Sequence, residues 1–196
     1  MLVAGKKTTN QVLRSFLTAA RAGVKKASIA VDQMSASAVR MDVISAGIAP
    51  TSTLAEIAGN PEDIVVGVYI GVTGDIPGHS LLVFSCDSAL PLVDMILGQQ
   101  VGTACEIGDM EKSVIQEIGN IVTSSYLNAL SDFYSCCLMP SPPSVAVDMA
   151  SAVVDSVLIN TGHFDEDTVS IVTRFAGKDL SLRGFFLYIP EIVTSL

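Results

Sequence analysis

The chain has 196 residues, 49% of them hydrophobic, and its 20 acidic residues outnumber 11 basic ones to give a net charge of −9. This length and apolar content suit a single domain with a sizeable buried core. The acidic balance argues against nucleic acid and against anionic membrane surfaces as partners, because both attract clustered basic side chains. No apolar stretch approaches the roughly 18 residues that a membrane span requires, and the opening residues lack the order of a secretory signal. We therefore expect a cytoplasmic protein.

The first half of the chain predicts alternating helices and strands from its apolar periodicity and its glycine and proline punctuation. Asp87 or Ser88 is expected to cap the second helix, and Gly98 is expected to close it. In chain order, the predicted elements are a helix over residues 9–31, a strand over 38–44, a connector over 48–54, a hairpin over 63–85 and a helix over 85–97.

The second half of the chain repeats this order. Residues 142–149 are similar to the strand around Arg40, and the runs that begin at Glu166 and Phe185 are similar to the strands of the first hairpin, at an offset of about 104 to 106 residues. Such a repeat predicts one internally duplicated, pseudo-twofold α+β domain over residues 1–196. Two long amphipathic helices would pack on one central, mainly antiparallel β-sheet, and the repeats would cover residues of about 8–100 and 109–196.

The most unusual stretch is a helix predicted from Asp109 or Met110 to about Asp132. Its polar face places the Glu117 carboxylate and the Asn120 carboxamide one turn apart, with small neighbours that leave both groups open. A solvent-facing or subunit-facing surface would show the same pattern, so the spacing leaves both interpretations open. The polar face is predicted to comprise Ser113, Gln116, Glu117, Asn120, Thr123, Ser124, Asn128 and Ser131, and the apolar face Val114, Ile115, Ile118, Val122, Tyr126 and Ala129.

A family resemblance starts from this helix. Ser113, Glu117 and Asn120 are followed by Pro142 at a characteristic distance, and the five residues from Glu117 to Ile121 form a typical string. These residues, together with the duplicated architecture, resemble the CheC/CheX/FliY family of chemotaxis phosphatases and its CheC-type members in particular. The resemblance implies hydrolysis of the aspartyl phosphate of a CheY-type response regulator.

The resemblance also implies roles for individual residues. Asn120 would orient the attacking water, and Glu117 would contact a lysine of the phosphorylated partner. These side chains suit the chemistry, because an acyl phosphate needs chiefly an aligned water and a prepared charge environment. No cofactor or metal is expected on this chain, since Mg²⁺ would come with the response regulator. Ser113 is expected at the helix start and Pro142 in the loop before the next strand, both without chemical roles.

Other partners and assemblies follow from the same resemblance. The deamidase CheD is a second partner that it allows, and the chain is expected to be a monomer or a weak homodimer. The first predicted helix lacks Glu and Asn at the repeat positions, which fall on residues 11–13 and 14–16. We therefore expect one active face, with Arg14, Ser15 and Lys25 as surface residues.

Alternatives to this interpretation remain. A non-catalytic adaptor of the same fold, or a structural module that uses the helix face for assembly, would have the same sequence features. Nucleophilic hydrolysis is disfavoured, because His79 and His163 are expected at the surface and no nucleophile elbow is present. Residues 165–167 are expected to be a solvated acidic loop and the glycine-rich residues 71–78 a turn. The thiols of Cys86, Cys105, Cys136 and Cys137 are expected to be reduced and mostly buried, without metal-ligand spacing.

Overall fold

Seven strands form one antiparallel sheet in the computed structural model, which describes residues 9–35, 39–50, 54, 59–161, 167–177 and 182–191. Four helices accompany the strands in the described part of the chain, and the predicted α+β fold is confirmed. In chain order, the elements are α1 (Thr9–Met34), β1 (Val39–Pro50), β2 (Ile64–Gly74), β3 (Gly78–Ser85), α2 (Cys86–Ile96), α3 (Asp109–Tyr134), β4 (Leu138–Pro140), β5 (Ser144–Met149), α4 (Ala150–Thr161), β6 (Asp167–Gly177) and β7 (Gly184–Pro190).

The order of the strands is symmetric. The sheet runs β1-β6-β7-β3-β2, and the outer side of β2 pairs with β5 along one half and with β4 along the other. If β1 is exchanged with β5, β2 with β6 and β3 with β7, the result is the same order read from the opposite edge of the sheet. The order is that of a pseudo-twofold sheet, with β7 and β3 paired at its centre. The repeat boundaries in the sequence stay a prediction.

The sheet buries both of its faces. Alternate residues of a strand point to opposite sides, so Val66 and Val68 join the core beneath α1, α2 and α3, whereas Val65 joins a second core beneath α4. The long helices α1 and α3 lie in contact, and Gly23 allows this approach because a Cβ there would lie 2.6 Å from Cδ2 of Tyr126. The fully buried Tyr126 ring thereby reaches the rings of Phe186 and Tyr188.

Helix α4 is absent from the sequence-based prediction. Its many valines favour strand on local propensity, since β-branched side chains lose rotamer freedom in a helix. Tertiary packing decides otherwise, because Val153, Val154, Val157 and Leu158 are all buried against the second face of the sheet. Burial of that apolar strip outweighs the small local preference.

Several predicted boundaries differ from the structure. Strand β1 continues to Pro50, through residues predicted as a connector, because β6 pairs with it as far as the match of Pro50 with Asp167. Residues 38 and 51–53 lie outside the described part. Helix α2 has Ser85 as its N-cap, so Asp87 and Ser88 lie inside the helix, where the Ser85 hydroxyl donates to Oγ of Ser88 at 2.9 Å. The predicted closure is confirmed, since Gly98 has a φ of +67°.

The cysteines are unpaired thiols, but the expectation that most are buried is wrong. Cys105 and Cys137 are exposed, and Cys86 and Cys136 are half-buried. All except Cys86 lie in connecting segments, which run over the surface. Partial burial still raises the pKa of the Cys86 and Cys136 thiols. Among the described helices, none is both long and apolar enough to cross a membrane.

Asp94 organises the connection between α2 and α3. Its fully buried carboxylate accepts the N–H groups of Gly102 and Thr103 on one oxygen, at 2.8 and 3.0 Å, and that of Ala104 on the other, at 3.0 Å. Three charge-assisted hydrogen bonds therefore fix the turn that leads into α3.

We expect Asp94→Ala to lower the free energy of unfolding by about 3 kcal/mol, because three N–H groups lose a charged acceptor. Urea unfolding measures this change. The matched control is Asp87→Ala on the exposed side of the same helix, with an expected loss under about 1 kcal/mol. A similar small loss for both variants would contradict the role of Asp94.

Candidate functional site on the outer face of helix α3

Helix α3 begins and ends at defined caps. The N–H of Gly108 donates to the Glu111 carboxylate at 3.1 Å, and this acidic side chain also suits the positive end of the helix dipole. At the other end Ser135 adopts a left-handed conformation with a φ of 51°. The predicted start at Asp109 is confirmed, and the helix continues two residues beyond the predicted end at Asp132.

The inner face of α3 lies unusually close to strand β2. Gly119 has no side chain, and a Cβ at this position would lie 2.7 Å from Cγ1 and 3.0 Å from Cβ of Val68. One turn later, Oγ1 of Thr123 lies 3.1 Å from the Ser80 hydroxyl, which donates to the backbone oxygen of Ile70 at 3.2 Å. Thr123 is only 1% exposed, so its predicted place on the polar face is wrong. The helix is thus held at a fixed height above the sheet.

The loop between β4 and β5 fastens the flank of α3. Nε2 of Gln116 donates to the Pro143 oxygen at 3.2 Å. The same loop is tied to β2, because the N–H of Gly71 donates to Oγ of Ser141 at 3.0 Å. Pro142 is exposed in this loop, two residues before β5 begins, which confirms its predicted location. The anchoring role of Gln116 was not predicted, since its glutamine looks like any other surface residue in the sequence.

Glu117 and Asn120 lie on the outward side of the helix segment that these contacts hold. Glu117 is exposed and Asn120 is half-buried. Neither side chain has a hydrogen-bond or ionic partner among the described residues. Ser113 is also exposed, and its hydroxyl donates to the Asp109 oxygen at 2.8 Å, as expected for a residue of the first turns. The roles assigned to Glu117 and Asn120 stay predictions.

This arrangement has defined chemical capabilities. A carboxamide offers one acceptor oxygen and two N–H donors, so the open Asn120 can hold a water on one side and an anionic oxygen on the other. The Glu117 carboxylate, about one turn away, can bind an ammonium or guanidinium group of a partner. In the part of the chain that the structure describes, no three His, Cys, Asp or Glu side chains form a metal cluster.

The structure also shows where His79 and the glycine-rich residues 71–78 lie, which the sequence offered as alternative sites. The prediction that His79 is a surface residue is wrong, because it is 7% exposed, with Nδ1 2.8 Å from the Tyr69 hydroxyl and Nε2 2.9 Å from Oε1 of Glu191. It lies on β3, between two paired strands, and not in the turn. Residues 71–78 form the end and the turn of the β2–β3 hairpin, as predicted. His163 and Asp165 lie outside the described residues.

The chain is similar in sequence to proteins of the CheC-like family. The model of the CheC-like family matches residues 110–147, which include most of α3, the loop between β4 and β5, and most of β5. The chain is also 26% identical over 173 residues to the CheY-P phosphatase CheC of Bacillus subtilis, covering 86% of this chain and 83% of that protein. The predicted resemblance to the CheC-like family is confirmed.

Solved structures support the CheC-like fold. Thermotoga maritima FliY superposes with a TM-score of 0.70 at 14% identity, covering 96% of this chain and 92% of that chain. The CheX-CheY-BeF3-Mg complex from Borrelia burgdorferi has a TM-score of 0.61 at 14% identity, covering 88% of this chain and 98% of the matched chain. At this level of identity the superpositions show a shared fold. The CheC-like match places Glu117, Asn120 and Pro142 within the segment that the family model covers.

Proposed function

We propose that this protein accelerates the hydrolysis of the aspartyl phosphate of a CheY-type response regulator. The observation that carries the proposal is the unpartnered, half-exposed carboxamide of Asn120, on a helix held at a fixed height by Gly119 and Thr123. A rigid helix can place a side chain to within the small tolerance that catalysis by positioning requires. The similarity to a CheY-P phosphatase over most of the chain supports this class of substrate.

Asn120 would act by orientation. Its carboxamide oxygen would accept a hydrogen bond from a water molecule and so direct the water lone pair at phosphorus, opposite the aspartyl oxygen. The water oxygen then forms the new bond to phosphorus while the bond from phosphorus to the aspartyl oxygen breaks. The aspartate leaves as a carboxylate, which is a good leaving group, and the proton of the water passes to phosphate or solvent. The step requires no nucleophile from this chain.

Glu117 would dock the partner. An exposed carboxylate one turn from Asn120 can bind a lysine beside the phosphorylated aspartate, and this contact would set the register of the two proteins. The Mg²⁺ that stabilises the charge on the phosphoryl group would be held by the response regulator. This division leaves the present chain with two tasks, which are recognition and alignment of water.

The proposal is tested by the rate of phosphate loss. A CheY-type regulator is phosphorylated with acetyl phosphate in Mg²⁺, the donor is removed, and release of phosphate is followed with and without this chain. The proposal predicts faster release at substoichiometric amounts of the chain. Binding to the phosphorylated regulator without faster release would indicate a non-catalytic adaptor, and the phosphatase proposal would be wrong.

We expect Glu117→Ala to raise KM for the phosphorylated regulator by about tenfold while changing turnover at saturation much less, since a charged contact contributes roughly 1.5–3 kcal/mol. Initial rates over a range of regulator concentrations measure both constants. The control is Glu106→Ala, which removes the same charge from an exposed residue before α3. An equal rise in KM for Glu117→Ala and Glu106→Ala would show that binding of the regulator depends only on the net charge of the chain.

A further inference from the structure

An open groove runs along the surface where α1 packs against the edge strand β1. It encloses about 360 Å³ and is lined by Arg21, Val24, Lys25, Ser28, Ile29, Asp32 and residues 40–43. The groove is on a different part of the surface from Glu117 and Asn120. It lies at the β1 edge of the sheet, whereas the helix α3 that carries Glu117 and Asn120 contacts β4 and β5 at the opposite edge. An inference about it is therefore independent of the phosphatase proposal.

Two unpaired cations line the helical wall of this groove. Arg21 and Lys25 lie one turn apart, both exposed, and neither has an ionic partner in the described part of the chain. The next residue, Lys26, differs, because its Nζ lies 2.6 Å from the Asp132 carboxylate of α3. Like charges one turn apart disfavour a helix slightly. Both cations are therefore available to an external anion, although the chain as a whole has a net charge of −9.

The opposite wall adds a third cation. Arg40 of β1 contacts the Asp42 carboxylate with Nε at 3.3 Å, in an exposed pair. This contact uses one edge of the guanidinium and leaves its other N–H groups available, since a guanidinium has five donors. The two acidic residues of the groove are already engaged, because Asp42 contacts Arg40 and Asp32 has interactions of its own. The groove therefore offers positive charge to a ligand.

The groove also offers an apolar strip. Ile29 is 52% exposed and follows Lys25 by one turn on the same wall of the groove. Val24 and Met41 are almost fully buried and provide the floor, and the partly buried Val43 continues it. A ligand of inorganic phosphate alone would neutralise the cations but leave Ile29 in water. A ligand that carries both carboxylates and an apolar side chain would satisfy both parts.

The backbone of β1 limits how a ligand can bind there. Strands at the edge of a sheet often accept an added strand. Here the N–H of Val39 donates to the Ser35 hydroxyl at 3.0 Å, and that of Met41 donates to the Ser28 hydroxyl at 2.9 Å. Because Ser28 of α1 and Ser35, which directly follows α1, already accept from these donors, recognition along this part of the groove would use side chains and not an added strand.

We propose that this groove binds an acidic segment of a partner protein. Carboxylates of the segment contact Arg21, Lys25 and the free side of Arg40, and an apolar side chain covers Ile29. A short acidic segment brings its carboxylates to Arg21, Lys25 and Arg40 and otherwise stays in screened solvent, whereas a second whole copy brings a further net charge of −9 against this chain, so the short segment is the favoured occupant.

The test uses a fluorescein-labelled synthetic peptide of alternating glutamate and leucine, with a glutamine and leucine peptide as its matched neutral control. We expect the acidic peptide to bind the full chain at least about tenfold more tightly by fluorescence anisotropy, less so at high salt. Arg21→Glu and Lys25→Glu should each reduce its affinity about tenfold or more. Arg14→Glu is the matched control, because Arg14 is exposed and unpaired in the described structure of the same helix but does not line the groove.

Three results would overturn the proposal. The neutral peptide binding as tightly as the acidic one would exclude recognition of carboxylates. Equal losses for Arg14→Glu and Arg21→Glu would indicate non-specific attraction to α1. Self-association of the wild-type chain in sedimentation, abolished by Arg21→Glu, would make a second copy the occupant. Circular dichroism verifies that each variant is folded, and amide chemical shifts at Ile29 and Val43 should move on binding of the acidic peptide.

Discussion

Asn120→Ala is expected to reduce the maximal rate of phosphate release from a phosphorylated response regulator by about a hundredfold, because loss of one positioning contact commonly has this effect. The affinity for the regulator should remain within a few fold, since Glu117 and the rest of the helix face are unchanged. The free energy of unfolding should also change little, because Asn120 has no hydrogen-bond partner among the described residues. The effect is therefore expected in turnover alone.

Single-turnover phosphate release at saturating chain concentration, together with a separate binding titration, measures these two quantities. Asn128→Ala is the matched control, because Asn128 is an exposed asparagine two turns further along the same helix. It should retain full activity. An Asn120→Ala variant with wild-type turnover would refute the assignment of the water-orienting role, whatever its affinity.

Gly119→Ala is expected to lower both stability and turnover. The added Cβ would lie 2.7 Å from Cγ1 and 3.0 Å from Cβ of Val68, a β-branched residue in the buried part of β2. Val68 has little room to move, so α3 must shift outward, which costs roughly 1–3 kcal/mol. The better helix propensity of alanine offsets about 1 kcal/mol of this cost. Because Asn120 is the next residue, the shift displaces its carboxamide, and we expect turnover to fall about tenfold or more.

A compensating change separates this steric effect from general damage. Val68→Ala removes the two methyl groups that the new Cβ would meet at 2.7 and 3.3 Å and keeps only the Cβ contact at 3.0 Å, so the double variant should recover part of the turnover that Gly119→Ala loses. Gly47→Ala is the control, because a Cβ at Gly47 would meet nothing within 4 Å. Urea unfolding and phosphate release are measured on Gly119→Ala, Val68→Ala, the double variant and Gly47→Ala. If Val68→Ala leaves the turnover of Gly119→Ala unchanged, the height of α3 does not govern the proposed site.

The elements that were predicted well are those with a strong local signal. Helix α3 has an uninterrupted 3.6-residue apolar period with acidic residues in its first turn, and the β2–β3 hairpin has dense β-branched runs around Gly74 and Pro77. Local patterning is sufficient there, since periodicity and turn chemistry agree with the tertiary structure. Helix α4 has no such agreement, because its valines are typical of a strand and only the open face of the sheet selects a helix there.

Side-chain environments were predicted less well than elements. Thr123 and Asn120 fall on the same polar side of a helical projection, yet one is buried against Ser80 and the other faces outward. His79 stands beside turn residues in the sequence, yet β3 carries it between two strands to Tyr69 and Glu191. In both examples the outcome depends on a strand distant in the chain, which no local pattern contains.

The sequence by itself determined the fold class, the position of helix α3 and the family resemblance that singles out Glu117 and Asn120. These follow from residue types and spacings that lie within single elements of the chain. Only the tertiary structure decided how close α3 lies to Val68, which polar side chains remain open, and that Arg21 and Lys25 share a groove with Arg40. Those properties depend on distances between elements, and such distances are set by the packing of the whole core.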